Sequence, residues 1–341
     1  MSSFPLLFEL ATGNPTTRSV ADLVKKGGVA SLPDAHLRAD QARYQEVTCR
    51  SALNRVRGMP FKWTLNPYRG CTHACHYCFA RQYHAQFELN TGDDFSSMIL
   101  VKRNVAAVLA RELDRPSWHR EHVALGTATD PYQPIEGHYT LTRQIITALG
   151  RGRTPMGLVT KGPMVVRDID VLSEHAQRAT STVYMSVPTV DEDAWRSLEP
   201  GTAHPQQRLR AVRELVDAGI NAGVLMAPLV PGFSTSRAKV ERTIKAIAES
   251  GARFMGYNVM HLEQGTRTHF MTFVEREFPA MRPRLDRLYR TKHPPEKYRK
   301  DVQGMVRALQ SRYGLHTQAR ADGTTAKAED TAPEQVGFAW S

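Results

Sequence analysis

The sequence lacks any apolar run long enough to span a membrane. No stretch approaches the roughly 18 to 20 uninterrupted apolar residues that a transmembrane helix needs. The opening residues, MSSFPLLFELATG, have neither the basic flank nor the cleavage-site pattern of a secretory signal peptide. We therefore expect a globular protein of the cytoplasm that has no membrane partner.

Cysteine is also scarce. Only four cysteines occur among the 341 residues, and three of them lie between Cys71 and Cys78. Such crowding is a poor framework for disulfide bonds in a chain of this size. In a compartment that keeps thiols reduced, it is typical of a metal or redox site.

Positive charge, in contrast, is in excess. The chain has 45 Lys and Arg residues against 34 Asp and Glu residues, a formal net charge of +11. A polyanionic partner is one explanation, because Lys and Arg that neutralise phosphates supply the sequence-independent part of nucleic-acid affinity. Many basic proteins are merely soluble, so the charge alone leaves both explanations open. The excess is concentrated between Arg276 and Arg312, where eleven basic residues face four acidic ones.

Short apolar runs alternate with helical patterns through the middle of the chain. Leu141, Ile145 and Leu149 share one helical face before Gly150, and similar faces precede Gly219 and Gly251. Six strands separated by such helices predict an α/β fold with parallel pairing, either a barrel or an open sheet. Ligands gather at the carboxyl ends of the strands in these folds. The candidate strands are Thr64 to Arg69, His122 to Thr127, Gly157 to Thr160, Thr182 to Val187, Ala222 to Ala227 and Phe254 to Met260.

Both ends of the chain differ from this middle part. Residues 1–47 mix Pro, Gly and charged residues without a sustained period, which predicts an N-terminal extension. Residues 271–315 predict a basic helical segment, and residues 316–341, which are polar and rich in Ala and Thr, predict a disordered tail.

The central motif is a C-x3-C-x2-C run formed by Cys71, Cys75 and Cys78, directly after the first candidate strand. Three thiolates on one tight loop can bind three irons of a cubane cluster and leave the fourth iron open to a small molecule. A structural zinc site that adds His73, His76 or Cys49 is an alternative, although zinc motifs usually consist of two separated ligand pairs. A ferredoxin-like electron carrier is another, but it would normally supply a fourth cysteine.

A longer set of residues resembles a known family. The strings WTLNPYRGC over 63–71, CFAR over 78–81 and TATDPYQP over 127–134 are similar to the radical S-adenosylmethionine (SAM) superfamily. Within it, they resemble the branch of spore photoproduct lyase, often called DNA repair photolyase-like, and an uncharacterised actinobacterial-type group of that branch. The resemblance covers about residues 48–270 and implies a partial (β/α)6 TIM-type barrel there.

The resemblance also implies the chemistry. A [4Fe–4S] cluster on Cys71, Cys75 and Cys78 would bind S-adenosylmethionine at its open iron. With an electron from a reductant such as flavodoxin or ferredoxin, the cofactor would yield a 5′-deoxyadenosyl radical that abstracts hydrogen from an organic substrate. Nucleic acid is the substrate class that the branch favours. The alternative function is a nucleic-acid-binding protein whose metal cluster is only structural.

Residue by residue, the resemblance implies that four further side chains bind the cofactor. Phe79 would lie beside the adenosyl group, Lys161 near the methionine carboxylate, and the hydroxyls of Thr129 and Ser186 in the same pocket. Strand-end hydroxyls also serve as caps, and a lysine after a strand is often merely solvated, so these explanations stay open.

One position departs from the lyase. The lyase has a cysteine near the end of its second strand that returns hydrogen to the product radical, and this chain has Thr127 there. A threonine O–H bond is too strong to replace a thiol as the donor, so another donor acts or the reaction differs. Cys49 is the remaining thiol and the candidate donor, although a lone cysteine ahead of a strand is often a small buried hydrophobe.

Overall fold

The structure of the protein is a computed structural model that describes residues 10–11, 38–39, 41–56, 59–87 and 94–315. Most of the predicted N-terminal extension and all of the predicted disordered tail lie outside these residues. The described strands are β1 Leu10–Ala11, β2 Arg43–Val47, β3 Asn54–Arg55, β4 Trp63–Leu65, β5 Tyr68–Arg69, β6 Met98–Lys102, β7 Val123–Leu125, β8 Met156–Thr160, β9 Ser181–Ser186, β10 Ala222–Leu229 and β11 Met255–Val259.

Helices separate most of these strands. The described α-helices are α1 Asp94–Ser97, α2 Val105–Leu113, α3 Glu136–Tyr139, α4 Leu141–Arg151, α5 Ile169–Arg178, α6 Glu192–Leu198, α7 Pro205–Asp217, α8 Arg237–Glu249, α9 Gln264–Glu277, α10 Arg282–Leu288 and α11 Glu296–Arg312. Short 3₁₀ segments cover Phe79–Phe87, Pro163–Asp168 and Pro279–Met281. No helix in the described part of the chain is long and apolar enough to cross a bilayer.

The main sheet has seven strands in the order β11, β10, β9, β8, β7, β4, β3. The first six strands of this order run parallel and follow the chain in reverse, from β11 to β4. Strand β3 pairs antiparallel with β4 at one edge. Each of the six predicted strands overlaps one of these parallel strands. This confirms the α/β fold and the parallel pairing. Within the described residues the sheet does not close into a full barrel, as expected for the partial barrel that the resemblance implies.

The register of this sheet aligns the strand ends. Leu65 pairs with Leu125, Leu125 with Leu158, and Leu158 with Val183, and all four side chains are fully buried. Because parallel strands in register end at one edge, the residues after each of them converge there.

The amphipathic helices form where their apolar faces predict them. In α4, Leu141, Ile145 and Leu149 are buried in the core. The prediction that each helix ends at a glycine holds for Gly219 and Gly251, which follow α7 and α8 with φ of +83° and +75°. It is wrong for Gly150, which lies inside α4; the helix continues through Arg151 and its C-cap is Gly152.

A second sheet, in the order β1, β2, β6, β5, was not predicted from the sequence. The candidate strand from Thr64 to Arg69 is split: β4 joins the main sheet and β5 pairs with β6 in the second sheet. Pro67 lies at the break, where it has no N–H to donate to a ladder and its carbonyl accepts from Lys102. The cysteine loop therefore follows β5, not the first strand of the main sheet.

The predicted basic segment over 271–315 contains helices, but α9 begins before residue 271 and continues through it. Val302, Val306 and Leu309 of α11 belong to the same apolar core as the main sheet. The exposed face of α11 reaches α8, where Arg312 pairs with Glu241 at 2.8 Å.

Candidate cofactor site

A cavity of about 360 Å³ lies at the carboxyl edge of the main sheet. All seven residues that the sequence predicts as cluster or cofactor ligands line it: Cys71, Cys75, Cys78, Phe79, Thr129, Lys161 and Ser186. They come from the cysteine loop and from the ends of β7, β8 and β9. The register of the parallel strands is what brings these distant positions together.

The cysteine loop turns tightly around its three thiols. The N–H of Ala74 donates to the carbonyl of Cys71, and the N–H of Cys78 donates to the carbonyl of Cys75. Ala74 adopts a left-handed conformation with φ of +54°, which reverses the chain between the first two cysteines. Cys71 and Cys75 are buried and Cys78 is half-buried, and all three are free thiols.

The three thiols lie close enough together to influence one another. Burial raises the pKa of Cys71 well above its ordinary value, with further contributions from Asp130, Cys75 and Cys78. Burial likewise raises the pKa of Cys75 to about 12. Within the described ranges, no three His, Cys, Asp or Glu side chains are already gathered around a metal-ion position. Free, buried thiols that face one cavity are the donors that iron–sulfur clusters use, and metal binding would convert them to thiolates.

Two other segments hold the loop from behind. The N–H of His76 donates to the carbonyl of Leu198, and the N–H of Gly201 donates to the carbonyl of His73. Arg81, which is buried, donates to the carbonyls of Ala74 and Cys75. The first two contacts fix the loop against the end of α6 and the segment that follows it, and Arg81 braces the loop from its own C-terminal side.

The two histidines of the loop do not face solvent. His73 is buried and lies 3.3 Å from a carboxylate oxygen of Asp130. His76 is half-buried, stacks on Phe273 with ring centroids 3.8 Å apart, and has His269 within hydrogen-bonding distance at 3.1 Å. The surroundings of each ring come from other elements, so the local sequence gives no sign of them.

Lys161, after β8, is held by two oxygen atoms. Its ammonium donates to the hydroxyl of Ser186 at 2.6 Å and lies 2.8 Å from a carboxylate oxygen of Glu199. The side chain is 14% exposed and faces the ring of Tyr77. The alternative of a merely solvated lysine does not describe this side chain, because its neighbours enclose the ammonium.

Glu199 is a site residue that sequence reasoning missed. Its side chain is 2% exposed, and Arg208, also buried, donates to its second carboxylate oxygen at 2.6 Å. Tyr77 donates its hydroxyl to the first oxygen. Burial acts to raise the pKa of Glu199, but the Arg208 and Lys161 cations outweigh it and bring that pKa to about 2. No local motif marks Glu199, since Lys161 and Tyr77, which connect it to the cavity, lie far away along the chain.

Thr129 and Gln133 connect β7 to the start of the cysteine loop. The hydroxyl of Thr129 donates to the carbonyl of Gly70 at 2.6 Å, and the amide of Gln133 donates to the same carbonyl and to Thr129. The amide oxygen of Gln133 accepts from the N–H of Thr72. Because its proton is donated to Gly70, the Thr129 hydroxyl can only accept a hydrogen bond from a ligand, through its remaining lone pair.

Asp130 orders the β8 end of the cavity. Its carboxylate accepts from the hydroxyl of Thr160 and from the N–H of Lys161, each at 2.6 Å. Burial raises the pKa of Asp130, but His73 and these hydrogen bonds lower it below the ordinary value overall. The carboxylate thus fixes the backbone from which Lys161 projects.

Thr127 and Cys49 occupy different surroundings. Thr127 lines the cavity, and its hydroxyl contacts that of Thr64. Cys49 is buried in the main core, its backbone N–H and carbonyl are paired with the side chain of Asn104, and it is not among the residues that line the cavity. Its suggested role as hydrogen donor stays a prediction.

The far wall of the cavity is mostly apolar. Leu225, Ala227, Pro228 and Met260 form much of it, and Asn258 and His261 add polar atoms at the end of β11. The ring of His261 lies 5.6 Å from that of His293. A cavity with cysteines and a cation on one side and an apolar wall on the other can hold a zwitterionic cofactor and part of a second molecule.

Comparisons with known proteins identify the family and the fold. The radical SAM superfamily model matches residues 65–245. The chain is 41% identical over 280 residues to an uncharacterized protein of Mycobacterium tuberculosis, covering 81% of this chain and 82% of that protein. It is 26% identical over 178 residues to the radical SAM Nalpha-GlyT isomerase of Pseudomonas phage M6, covering 50% of this chain and 33% of the isomerase.

Among solved structures, the fold resembles a spore photoproduct lyase mutant with bound AdoMet and dinucleoside spore photoproduct. The TM-score is 0.63 at 14% identity, and the match covers 89% of this chain and 94% of that chain. This likeness concerns the fold. Together with the family match and the mycobacterial relative, it leads to one conclusion: the chain belongs to the radical SAM superfamily, whose members use a [4Fe–4S] cluster and S-adenosylmethionine.

Proposed function

We propose that this enzyme holds a [4Fe–4S] cluster on Cys71, Cys75 and Cys78 and reductively cleaves S-adenosylmethionine to start radical chemistry on an organic substrate. The observation that carries the proposal is that the three cysteines line one cavity with Phe79, Thr129, Lys161 and Ser186. When bound, the cluster and the cofactor supply an electron to the sulfonium and a 5′-deoxyadenosyl radical that abstracts hydrogen.

The residues of the chain bind S-adenosylmethionine and orient it. The Lys161 ammonium is the cation for the methionine carboxylate, and the Ser186 hydroxyl beside it is a polar contact in the same pocket. Thr129 offers an oxygen lone pair, and Phe79 is half-buried at the cavity with an aromatic face for the adenosyl group. The apolar far wall keeps water from a reactive intermediate.

Anaerobic reconstitution tests the proposal. We expect about four irons and four sulfides per chain, and 5′-deoxyadenosine when the protein is reduced with S-adenosylmethionine present. Serine at any of the three loop cysteines should abolish both. Cys49→Ala is the matched control, because it removes a buried thiol outside the cavity lining and should leave both intact. A single tightly held zinc would instead support a structural metal loop in a nucleic-acid-binding protein.

We further propose nucleic acid or a nucleotide as the substrate, and a small protein such as flavodoxin or ferredoxin as the reductant in a cytoplasmic setting. Two features support the substrate: the net charge of +11 and exposed arginines near the end of β11. The spore photoproduct lyase mutant of the structural comparison was solved with bound AdoMet and dinucleoside spore photoproduct.

Isotope transfer identifies the substrate. Each candidate is supplied with deuterium at defined carbons, and 5′-deoxyadenosine is analysed for the label. Because Thr127 stands where the lyase has its donor cysteine, we expect a product whose hydrogen does not come from a thiol at that position. Label in 5′-deoxyadenosine from a metabolite, and none from nucleic acid, would contradict the substrate proposal.

A further inference from the structure

The buried carboxylate of Glu199 joins three parts of the site. Through Tyr77 it contacts the cysteine loop, through Lys161 it contacts the end of β8, and Arg208 connects it to β9 by donating to the carbonyl of Ser186 at 3.0 Å. Glu199 itself is not among the residues that line the cavity. It can therefore act on a ligand only through its partners.

Two cations share this one carboxylate. Lys161 and Arg208 each carry a positive charge against the single negative charge of Glu199, so the buried group keeps one positive charge in excess. Arg208 is completely buried, whereas Lys161 lines the cavity. The excess charge is thus presented to a ligand by Lys161, where an incoming carboxylate would neutralise it.

A lysine needs such an anchor because its ammonium sits on a flexible four-carbon stem and is strongly hydrated. Without Glu199, the ammonium would keep only uncharged neighbours, the hydroxyl of Ser186 and the ring of Tyr77. A desolvated cation beside Arg208 would then be repelled toward water. The ion pair instead keeps the ammonium at the cavity wall before any ligand arrives.

We propose that Glu199 is a positioning residue for S-adenosylmethionine, which holds the Lys161 ammonium where it meets the carboxylate of the cofactor and couples it to the cysteine loop through Tyr77. The inference rests on the proposed function and adds to it a residue that does not touch the cofactor.

A double-mutant cycle tests the inference. The dissociation constant for S-adenosylmethionine is measured by equilibrium dialysis on anaerobically reconstituted holoenzyme for wild type, Lys161→Met, Glu199→Gln and the double variant. We expect each single substitution to weaken binding by about 10- to 100-fold, the worth of a charged hydrogen bond. The double variant should bind no more weakly than Lys161→Met, because Glu199 acts through Lys161. Weakening that is the product of the two single effects would overturn the proposal.

Glu136→Gln is the matched control. Glu136 is also a buried glutamate that accepts from a tyrosine hydroxyl, that of Tyr68, and pairs with an arginine, Arg167, but it does not line the cavity or contact Lys161. We expect its substitution to leave the dissociation constant within about twofold of wild type. The comparison is made above pH 7, where the carboxyl of Glu136, whose pKa is about 7, is ionised like that of Glu199. An equal weakening by Glu136→Gln there would mean that loss of a buried charge, not positioning, explains the result, and would overturn the proposal.

If Glu199→Gln does not fold, the variant Tyr77→Phe tests the inference in its place. It removes the hydroxyl that ties Glu199 to the cysteine loop and leaves both ion pairs in place. We expect unchanged iron content and a dissociation constant raised about two- to tenfold, the worth of a typical hydrogen bond. S-adenosylmethionine changes the electron paramagnetic resonance spectrum of the reduced cluster, and this change should require a higher cofactor concentration in the variant. An unchanged dissociation constant would overturn the inference.

The same experiments separate this inference from the proposed function. A wild-type protein that forms no cluster and cleaves no cofactor would contradict both the proposed function and the inference about Glu199. A wild type that cleaves S-adenosylmethionine, with Glu199 variants that bind it normally, would contradict only the inference.

Discussion

A β-carbon built on Gly201 would lie 2.2 Å from the carbonyl oxygen of Thr72, far inside van der Waals contact. The segment after α6 therefore touches the backbone of the cysteine loop, and only glycine allows this approach. Any larger residue must move either the segment or the loop. The spacing of the three cysteines is thus maintained in part by a residue far from them in the chain.

Gly201→Ala should lower both stability and cluster content. Forcing a methyl group against backbone costs about 1–3 kcal/mol of unfolding free energy, and the displaced loop should retain less iron. Anaerobic urea unfolding and iron analysis measure the two effects. Gly304→Ala is the control: nothing lies within 4 Å of the new methyl group in the middle of α11, so it should stabilise by about 0.5–1 kcal/mol and leave iron unchanged. Equal iron in both variants would contradict the argument.

Arg208→Met should be among the most destabilising substitutions. It leaves Glu199 buried with one cation in place of two and removes donors to the carbonyls of Ser186 and Ala203. Breaking a buried pair costs about 3–5 kcal/mol, measured as free energy of unfolding in urea. Arg242→Met removes an exposed partner of Asp191, which keeps Lys239, and should cost less than about 1 kcal/mol. A similar loss in the two variants would argue against a special role for burial.

Glu136 should make stability depend on pH. Burial raises its pKa to about 7 from an ordinary 4.5, despite donors from Tyr68, Thr142 and Arg167. Between those values the folded state binds the proton more tightly than the unfolded state, so this group's contribution to stability falls as pH rises from about 4.5 to 7. The slope is at most about 1.4 kcal/mol per pH unit.

The check is the difference in unfolding free energy between wild type and Glu136→Gln. The unfolding free energy of wild type minus that of Glu136→Gln should decline as pH increases from 5 to 7 and then level off. A difference that rises with pH would mean that the pKa is lowered instead, because the hydrogen bonds and Arg167 would then outweigh burial.

The arginines beside β11 should contribute to nucleic-acid binding. Arg284, Arg287 and Arg290 are exposed, and the segment that carries them is tied to the cavity rim, where Tyr289 donates its hydroxyl to the carbonyl of Met260. Replacing all three with glutamine should weaken binding to a single-stranded oligonucleotide. It should also reduce the slope of log K against log salt by about 2, because phosphate contacts release counterions.

A matched triple variant at Arg111, Arg151 and Arg153 removes exposed arginines at the opposite, amino edge of the sheet. It should change binding much less. Equal effects would indicate binding by net charge alone, without a defined surface.

Much of the fold could be predicted from the sequence. Short runs such as Thr182 to Val187 are local patterns, and so are helical faces with a period of 3.6 residues such as that of Leu141, Ile145 and Leu149. The split at Pro67 into strands of two different sheets could not be predicted, because it depends on β6 being present to pair with β5. The position of Gly150 inside α4 shows the same limit at a helix end, where one glycine does not decide termination.

The sequence by itself determined the six parallel strands and the cysteine spacing, because both are written in residues a few positions apart. It also supplied Lys161 and Ser186 at the ends of their strands, where register placed them in one cavity. Only the tertiary structure decided that Glu199 and Arg208 stand behind that lysine, and that Cys49 lies in the core away from the cavity. The physical reason is that the surroundings of a buried charge or thiol are set by packing between distant segments, which no local pattern records.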